Sequence, residues 1–261
     1  MNAAIASVRE VAHGYGPRVH ILDDAYMRTL LAELCMADTR QPRLNWLLKS
    51  LYDGLLRAVL NNEFPRARRS VLTRMGVAYE DELLDESSQV VSVDIARAGI
   101  FPAMLCFELL STVLDPAGVR QDHIVMNRVV NLAGEVTGAE ISGSKIGGPV
   151  QGRILIFPDP MGATGASVSE VLRFYREHGE GTPARLISLN LIVTPEFLRR
   201  VLAEEPRLAV YAFRVDRGMS PADVLAKAPG EDWEHERGLN DHDYIIPGAG
   251  GLGEVLNNAA S

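Results

Sequence analysis

The sequence predicts an α/β protein in which a central, mostly parallel sheet is flanked by helices and preceded by a helical N-terminal portion. Three observations carry the prediction. Up to Asp85 the apolar residues recur largely at helical spacing. After Asp85, short apolar runs alternate with amphipathic stretches, the pattern of βαβ units. Within that second region, residues 153–167 run from an aliphatic strand through a turn of small residues into a helix start.

In the N-terminal portion, Leu48, Leu51, Leu55 and Val59 fall on one helical face after Trp46, with Pro42 well placed near a first turn. Such a face serves core packing or an oligomer contact. Candidate strands follow at Val90 to Ile95, His123 to Met126, Arg153 to Phe157, Arg185 to Val193 and Leu208 to Phe213. Candidate helices run from Phe101 to Val113, Ser167 to His178 and Pro195 to Glu204. No repeat or low-complexity linker interrupts the chain. The expected division is therefore a single structural domain, with residues 1–85 as a helical portion packed on a main domain of residues 86–261. Ligands of open α/β sheets bind beyond the carboxyl ends of the strands, so the chemistry is sought just after each strand.

Composition narrows the function classes. The 261 residues are 47% hydrophobic and 23% charged, ordinary for a globular protein with a sizeable core. A formal charge of −8 argues against a nonspecific grip on nucleic acid, which needs clustered Lys and Arg. No run approaches the roughly 20 apolar residues of a bilayer span, and the N-terminus lacks a basic start before an apolar stretch. Cytoplasmic residence is the expectation. Cys35 and Cys106 are expected as buried reduced thiols, and the six histidines never stand at metal-ligand spacing with a second His or Cys.

The most informative stretch is Arg153-Ile-Leu-Ile-Phe-Pro-Asp-Pro-Met-Gly-Ala-Thr-Gly-Ala-Ser167. Ser167 and Glu170 form a capping-box pattern, and Val168, Val171, Leu172 and Tyr175 mark a buried stripe ending at Gly179. The first amides of a helix lack internal partners and sit at the positive end of its dipole, so they suit a phosphate. Gly162, Ala163, Gly165 and Ala166 let the backbone approach closely, while Thr164 and Ser167 offer hydroxyls. Asp159 repels phosphate but accepts well from vicinal sugar hydroxyls. One short loop can thus hold both halves of a ribose phosphate. It is neither a Walker loop nor a dinucleotide fingerprint.

Asp159-Pro160-Met161-Gly162-Ala163-Thr164-Gly165-Ala166-Ser167 after an aliphatic strand resembles the phosphoribosyl diphosphate loop of uracil phosphoribosyltransferases. Ile95-Ala-Arg-Ala-Gly-Ile100 resembles the turn of that family facing the diphosphate, which implies that role for Arg97. His123-Ile-Val-Met-Asn-Arg128 is similar to the strand before the family's mobile loop, which implies that Arg128 reaches the diphosphate on closure. The Gly- and Ser-rich segment Val129 to Val150 would be the flap. Gly238-Leu-Asn-Asp-His-Asp-Tyr-Ile-Ile-Pro-Gly-Ala-Gly-Gly-Leu-Gly253 resembles the hood over the base. The residues implied to bind the base are Tyr244, Ile245, Gly250, Gly251 and Leu252. The clear resemblance spans residues 85–256.

The resemblance implies a type I phosphoribosyltransferase fold with a C-terminal base-binding hood. It implies a pentosyltransferase that combines uracil with phosphoribosyl diphosphate to give UMP and diphosphate, a pyrimidine-salvage reaction. Asp159, Arg97 and Arg128 are the implied catalytic residues. Mg²⁺ is the implied cofactor, bound mainly through the diphosphate with no metal site on the protein. The implied partners are small-molecule substrates and further copies of the chain, without nucleic acid or membrane. Gly251 departs from the family pattern, which has Asp there. A different acceptor base, or a noncatalytic protein sensing phosphoribosyl diphosphate or a nucleotide, are the alternatives that this departure motivates. Asp243 or Glu254 could stand in for the missing carboxylate.

Overall fold

The computed structural model describes residues 9–130 and 136–259. The chain opens with β1 (Val19–Ile21), α1 (Ala25–Leu34) and α2 (Arg43–Glu63), then an antiparallel hairpin of β2 (Arg66–Leu72) and β3 (Ala78–Leu84). There follow β4 (Val90–Ala96), α3 (Ile100–Val113), β5 (Val119–Val130) and β6 (Val136–Lys145). Next come β7 (Ile154–Pro158), β8 (Met161–Gly162), α4 (Ala166–His178), β9 (Arg185–Val193), α5 (Pro195–Glu204) and β10 (Leu208–Val215). Two short helices, α6 (Ala222–Leu225) and α7 (Leu252–Leu256), lie in the C-terminal segment. The main sheet has the order β1-β10-β9-β7-β4-β5-β6, with β8 added beside β9. Every pairing in it is parallel except that of β5 with β6.

Period-two alternation divides the buried strands between two apolar layers. On β9, Ile187, Leu189 and Leu191 face a cluster built with α1, α2 and α3. On β4, Val91, Val93 and Ile95 face the opposite cluster, which holds Val168, Val171 and Leu172 of α4 and Phe197, Leu198 and Val201 of α5. The central strands are covered on both faces and therefore read as continuous apolar runs. The α2 stripe behaves as its spacing predicts: Leu48, Leu51, Leu55 and Val59 are all fully buried. Thr194 caps α5 by accepting from the Phe197 amide at 3.0 Å, with Pro195 in the first turn, where a missing N–H costs nothing. Among the described residues no helix is long and apolar enough to cross a membrane.

The N-terminal portion is less helical than its sequence predicts, because β1 joins the sheet edge and residues 66–84 form the hairpin. The physical reasons are local. β1 has only three residues. The hairpin is largely solvated on both faces and is linked by pairs such as Arg68 with Glu80 at 2.7 Å, so it shows no one-sided apolar pattern. Part of the predicted flap also takes regular structure, since residues 136–145 pair with β5. Residues 131–135 of that flap lie outside the described residues, as do residues 1–8 of the N-terminal stretch.

Candidate active site

Parallel pairing of β4, β7 and β9 brings their carboxyl ends together, and the loops that follow β4 and β7 meet there. The loop after β7 is held by backbone bonds to β9. Asp159 donates its amide to the Leu189 carbonyl at 3.0 Å, and the Pro160 carbonyl accepts from Leu191 at 3.0 Å and from Ile192 at 3.2 Å. Asn190 donates its side-chain amide to the Asp159 carbonyl at 2.6 Å. Further on, the Gly162 carbonyl accepts from the Thr194 amide at 3.0 Å, and the Thr194 hydroxyl donates to the Ala163 carbonyl at 2.6 Å. Both ends of the turn are thereby fixed before any ligand arrives.

The Asp159 carboxylate accepts from the Met161 amide at 3.2 Å. Burial pushes its pKa up to about 6, and the Met161 hydrogen bond opposes that only in part. Tyr52 lies close enough to feel its charge and donates to the Leu189 carbonyl at 3.4 Å. An acceptor this desolvated, yet ionised near neutrality, is suited to a polar hydroxyl pair and poorly suited to an anion. Met161, Ala163, Thr164, Ala166 and Ser167 are all partly exposed, so the turn is open to solvent and not filled by side chains.

The start of α4 differs from the sequence expectation. Gly165 occupies the cap position in the left-handed region, at φ 76°, and the helix begins at Ala166. Ser167 therefore lies inside the first turn, and Glu170 pairs with Arg173 in place of a capping box. The left-handed residue turns the chain sharply while Thr164 accepts from the Ala166 amide at 3.3 Å. The amides of Ser167 and Val168 are left without an acceptor inside the helix, which is the anion-binding arrangement of a helix start.

The turn carrying Arg97 follows β4, and its Ala96–Arg97 peptide is cis. A side chain at Gly99 would lie 2.8 Å from the Ile95 carbonyl oxygen and 3.1 Å from that of Pro158. The absence of a Cβ there lets this turn pack directly on the end of β7, one residue before Asp159. Arg97 is 57% exposed and pairs with Glu254 at 3.4 Å. It also lines a cavity of about 220 Å³ with Asn45, Ile100, Phe101, Leu256 and Asn257. Glu254 belongs to α7, so the C-terminal segment leans on the Arg97 turn, where Gly253 approaches Ala98.

Within that segment Tyr244 is exposed, while the side chains of Ile245 and Leu252 are buried in the core. These two can offer a ligand only their backbone. Gly250 and Gly251 form the open stretch between them. A Cβ at Gly251 would stand 2.6 Å from a Glu254 carboxylate oxygen and 3.9 Å from the Tyr244 ring, so the Glu254 carboxylate fills the space a side chain there would take. Asp243 lies at the exposed tip of the preceding turn. Arg128 is on β5 opposite Ala139, and its side chain lies outside the described residues. Sequence reasoning missed Asn190 and Thr194. The available signal was a polar residue inside an otherwise aliphatic run, Asn190, and another just after its end, Thr194.

The family profile described as "Uracil phosphoribosyltransferase" matches residues 21–231. A relative of the same name from Pyrobaculum islandicum is 30% identical over 237 residues, 90% of this chain and 97% of that one. The chain belongs to the uracil phosphoribosyltransferase family. A second relative of that name, from Caldanaerobacter subterraneus, is 34% identical over 113 residues, and the chain spans only 42% of that relative's length. A solved structure of an Aquifex aeolicus protein superimposes with a TM-score of 0.68 at 24% identity, covering 91% of this chain and 97% of that one, a likeness of fold. The sheet and helices described above are the type I phosphoribosyltransferase fold of this family.

Proposed function

We propose that this chain transfers the ribose 5-phosphate group of phosphoribosyl diphosphate to uracil. The observation that carries the reading is the convergence of the Asp159 loop, the Arg97 turn and the C-terminal hood through the contacts of Gly99 with Pro158 and of Arg97 with Glu254. In this reading the amides of Ser167 and Val168 and the Thr164 and Ser167 hydroxyls hold the 5′-phosphate, while Pro160 to Ala163, Gly165 and Ala166 shape the cradle. The ionised Asp159 carboxylate accepts from the two ribose hydroxyls. Arg97, aided by Arg128, faces the diphosphate with a fork of donors. The hood residues Tyr244, Ile245, Gly250, Gly251 and Leu252 frame the base, whose acceptor, donor, acceptor edge a bent main chain can mirror.

The reaction makes a bond from uracil N1 to the anomeric carbon and breaks the bond from that carbon to diphosphate oxygen. The bonding pair leaves with the diphosphate, and the N1 proton is released. Positive charge grows on the sugar in the transition state, and the protein's contribution is positioning and electrostatics without a covalent nucleophile. Among the described residues no cluster of three or more His, Cys, Asp and Glu is placed to hold a metal. In this reading Mg²⁺ would be held mainly through the diphosphate, where it would offset charge on the leaving group.

The test is a turnover assay with phosphoribosyl diphosphate, Mg²⁺ and a panel of bases, reading diphosphate release. UMP formation with uracil as the preferred acceptor supports the proposal, and silence on every base refutes it. A second reading, the same transfer to another heterocycle, is favoured by Glu254 occupying the space beside Gly251. Another base outranking uracil in the same panel would establish it.

A further inference from the structure

At the end of β10 an ion pair between the half-buried Arg214 and a buried carboxylate holds the hood. Asp216, 2% exposed, accepts from Arg214 Nε at 2.6 Å through one carboxylate oxygen and from Arg214 Nη2 at 2.9 Å through the other. That second oxygen also accepts from the Gly248 amide at 2.8 Å, while Arg214 Nη2 donates to the Gly248 carbonyl at 3.3 Å. Both polar groups of Gly248 are therefore gripped by one side-chain pair. The pair is itself anchored to the sheet, since Arg214 is in register with Ile192 and the Asp216 amide donates to the Val193 carbonyl at 2.9 Å.

Gly248 is the pivot of the hood. It takes a φ of 60°, and a Cβ there would lie 2.2 Å from the Ile245 carbonyl oxygen, so only glycine fits. On one side of it the 239–245 hairpin closes by an isolated bridge, and on the other Gly250 and Gly251 lead into α7. The chain on both sides is loop that is exposed or half-exposed apart from Ile245, and a grip at this one residue sets the position of the open main chain that follows.

We propose that Arg214 and Asp216 are positioning residues for the acceptor base: they touch no substrate and act by fixing the Gly248 peptide. The inference rests on the reading of residues 244–252 as the base site. It assigns recognition of the base, and not of the phosphorylated sugar, to the geometry of this pair. A matched control lies at the opposite end of the same strand. There the buried Glu205 accepts from Arg207 Nε at 3.1 Å and from Arg207 Nη2 at 3.2 Å, another fork spaced by two residues, far from the hood.

The experiment compares Asp216→Asn with Glu205→Gln. Asparagine keeps the shape but must set an amide donor against either Arg214 or the Gly248 amide. The expected result in Asp216→Asn is a rise of about tenfold in KM for uracil, the scale of a misplaced binding group. KM for phosphoribosyl diphosphate should stay within about twofold, and the Gly248 amide should lose its protection from hydrogen exchange. Glu205→Gln should lose stability without that split. Equal rises in both KM values, or the same split in Glu205→Gln, overturn the proposal. If Asp216→Asn does not fold, Arg214→Lys keeps the carboxylate's bond to Gly248 and loses the fork, and an unchanged KM for uracil in it is equally fatal. Absence of turnover in the wild type refutes the reading of the site instead, and the clamp then stands or falls on Gly248 exchange alone.

Discussion

Replacing Asp159 by asparagine should make the protein more stable while removing its activity. The carboxyl is raised from an ordinary 3.8 to about 6 by burial. That difference of about 2.2, at about 1.4 kcal/mol for each unit, is about 3 kcal/mol of folding free energy given up whenever the group is ionised. The sign follows from proton binding. The folded state holds the proton more tightly, so the protein is favoured below pH 3.8, and this advantage is lost as pH rises through 6. An asparagine carries no charge at any pH and still accepts from the Met161 amide, so it escapes the penalty. Urea unfolding at pH 8 should find Asp159→Asn more stable by about 1–3 kcal/mol, allowing for relaxation around the site, with the advantage fading towards pH 4. Initial rates of diphosphate release should fall by two orders of magnitude or more, roughly the scale of lost transition-state positioning. A variant less stable than wild type at pH 8, or one with wild-type turnover, would refute the reasoning.

Further outcomes follow from the same structure. On the role proposed for Asp159, the pH profile of kcat/KM for phosphoribosyl diphosphate should show an acid limb near 6, where its carboxylate loses its charge. Gly99→Ala should cost about 2 kcal/mol or more, because its Cβ would meet backbone atoms at 2.8 and 2.9 Å, and should raise KM for phosphoribosyl diphosphate by displacing Arg97. Arg97→Lys keeps the charge and loses the fork of donors, so KM for phosphoribosyl diphosphate should rise about tenfold while KM for the base holds. Leu51→Ala, at a fully buried position of α2, should lower the unfolding free energy by about 2–5 kcal/mol and leave the specific activity of folded protein unchanged.

How far the sequence could be read depended on burial. β9 and α5 run where their residues predict, because a two-sided apolar run and an amphipathic stretch led by Pro195 each have one physical solution here. The hairpin at residues 66–84 leaves no mark in the sequence because its solvated arginines and glutamates carry no periodic signal. At the site, the Asp159 loop and the Arg97 turn are visible as short strings, but their meeting through Gly99 is a property of strand order. The beginning of α4 differs from its sequence pattern because Ser167 and Glu170 have the spacing of a capping box, whereas Gly165 reaches a left-handed conformation that puts the cap two residues earlier. The Arg214–Asp216 grip on Gly248 spans 34 residues of chain and reads, in one dimension, as an ordinary charged strand end.

Thr194 offers a caution for anyone mapping this protein by saturation mutagenesis. The same hydroxyl accepts from Phe197 to start α5 and donates to Ala163 to hold the loop, and its amide bonds Gly162 as well. Almost any replacement would therefore score as harmful to both abundance and turnover, marking the position as indispensable although no ligand need ever reach it. Intolerance there would report a joint shared by two trades, and a screen that equates damage with contact would place the pocket wall one layer too deep.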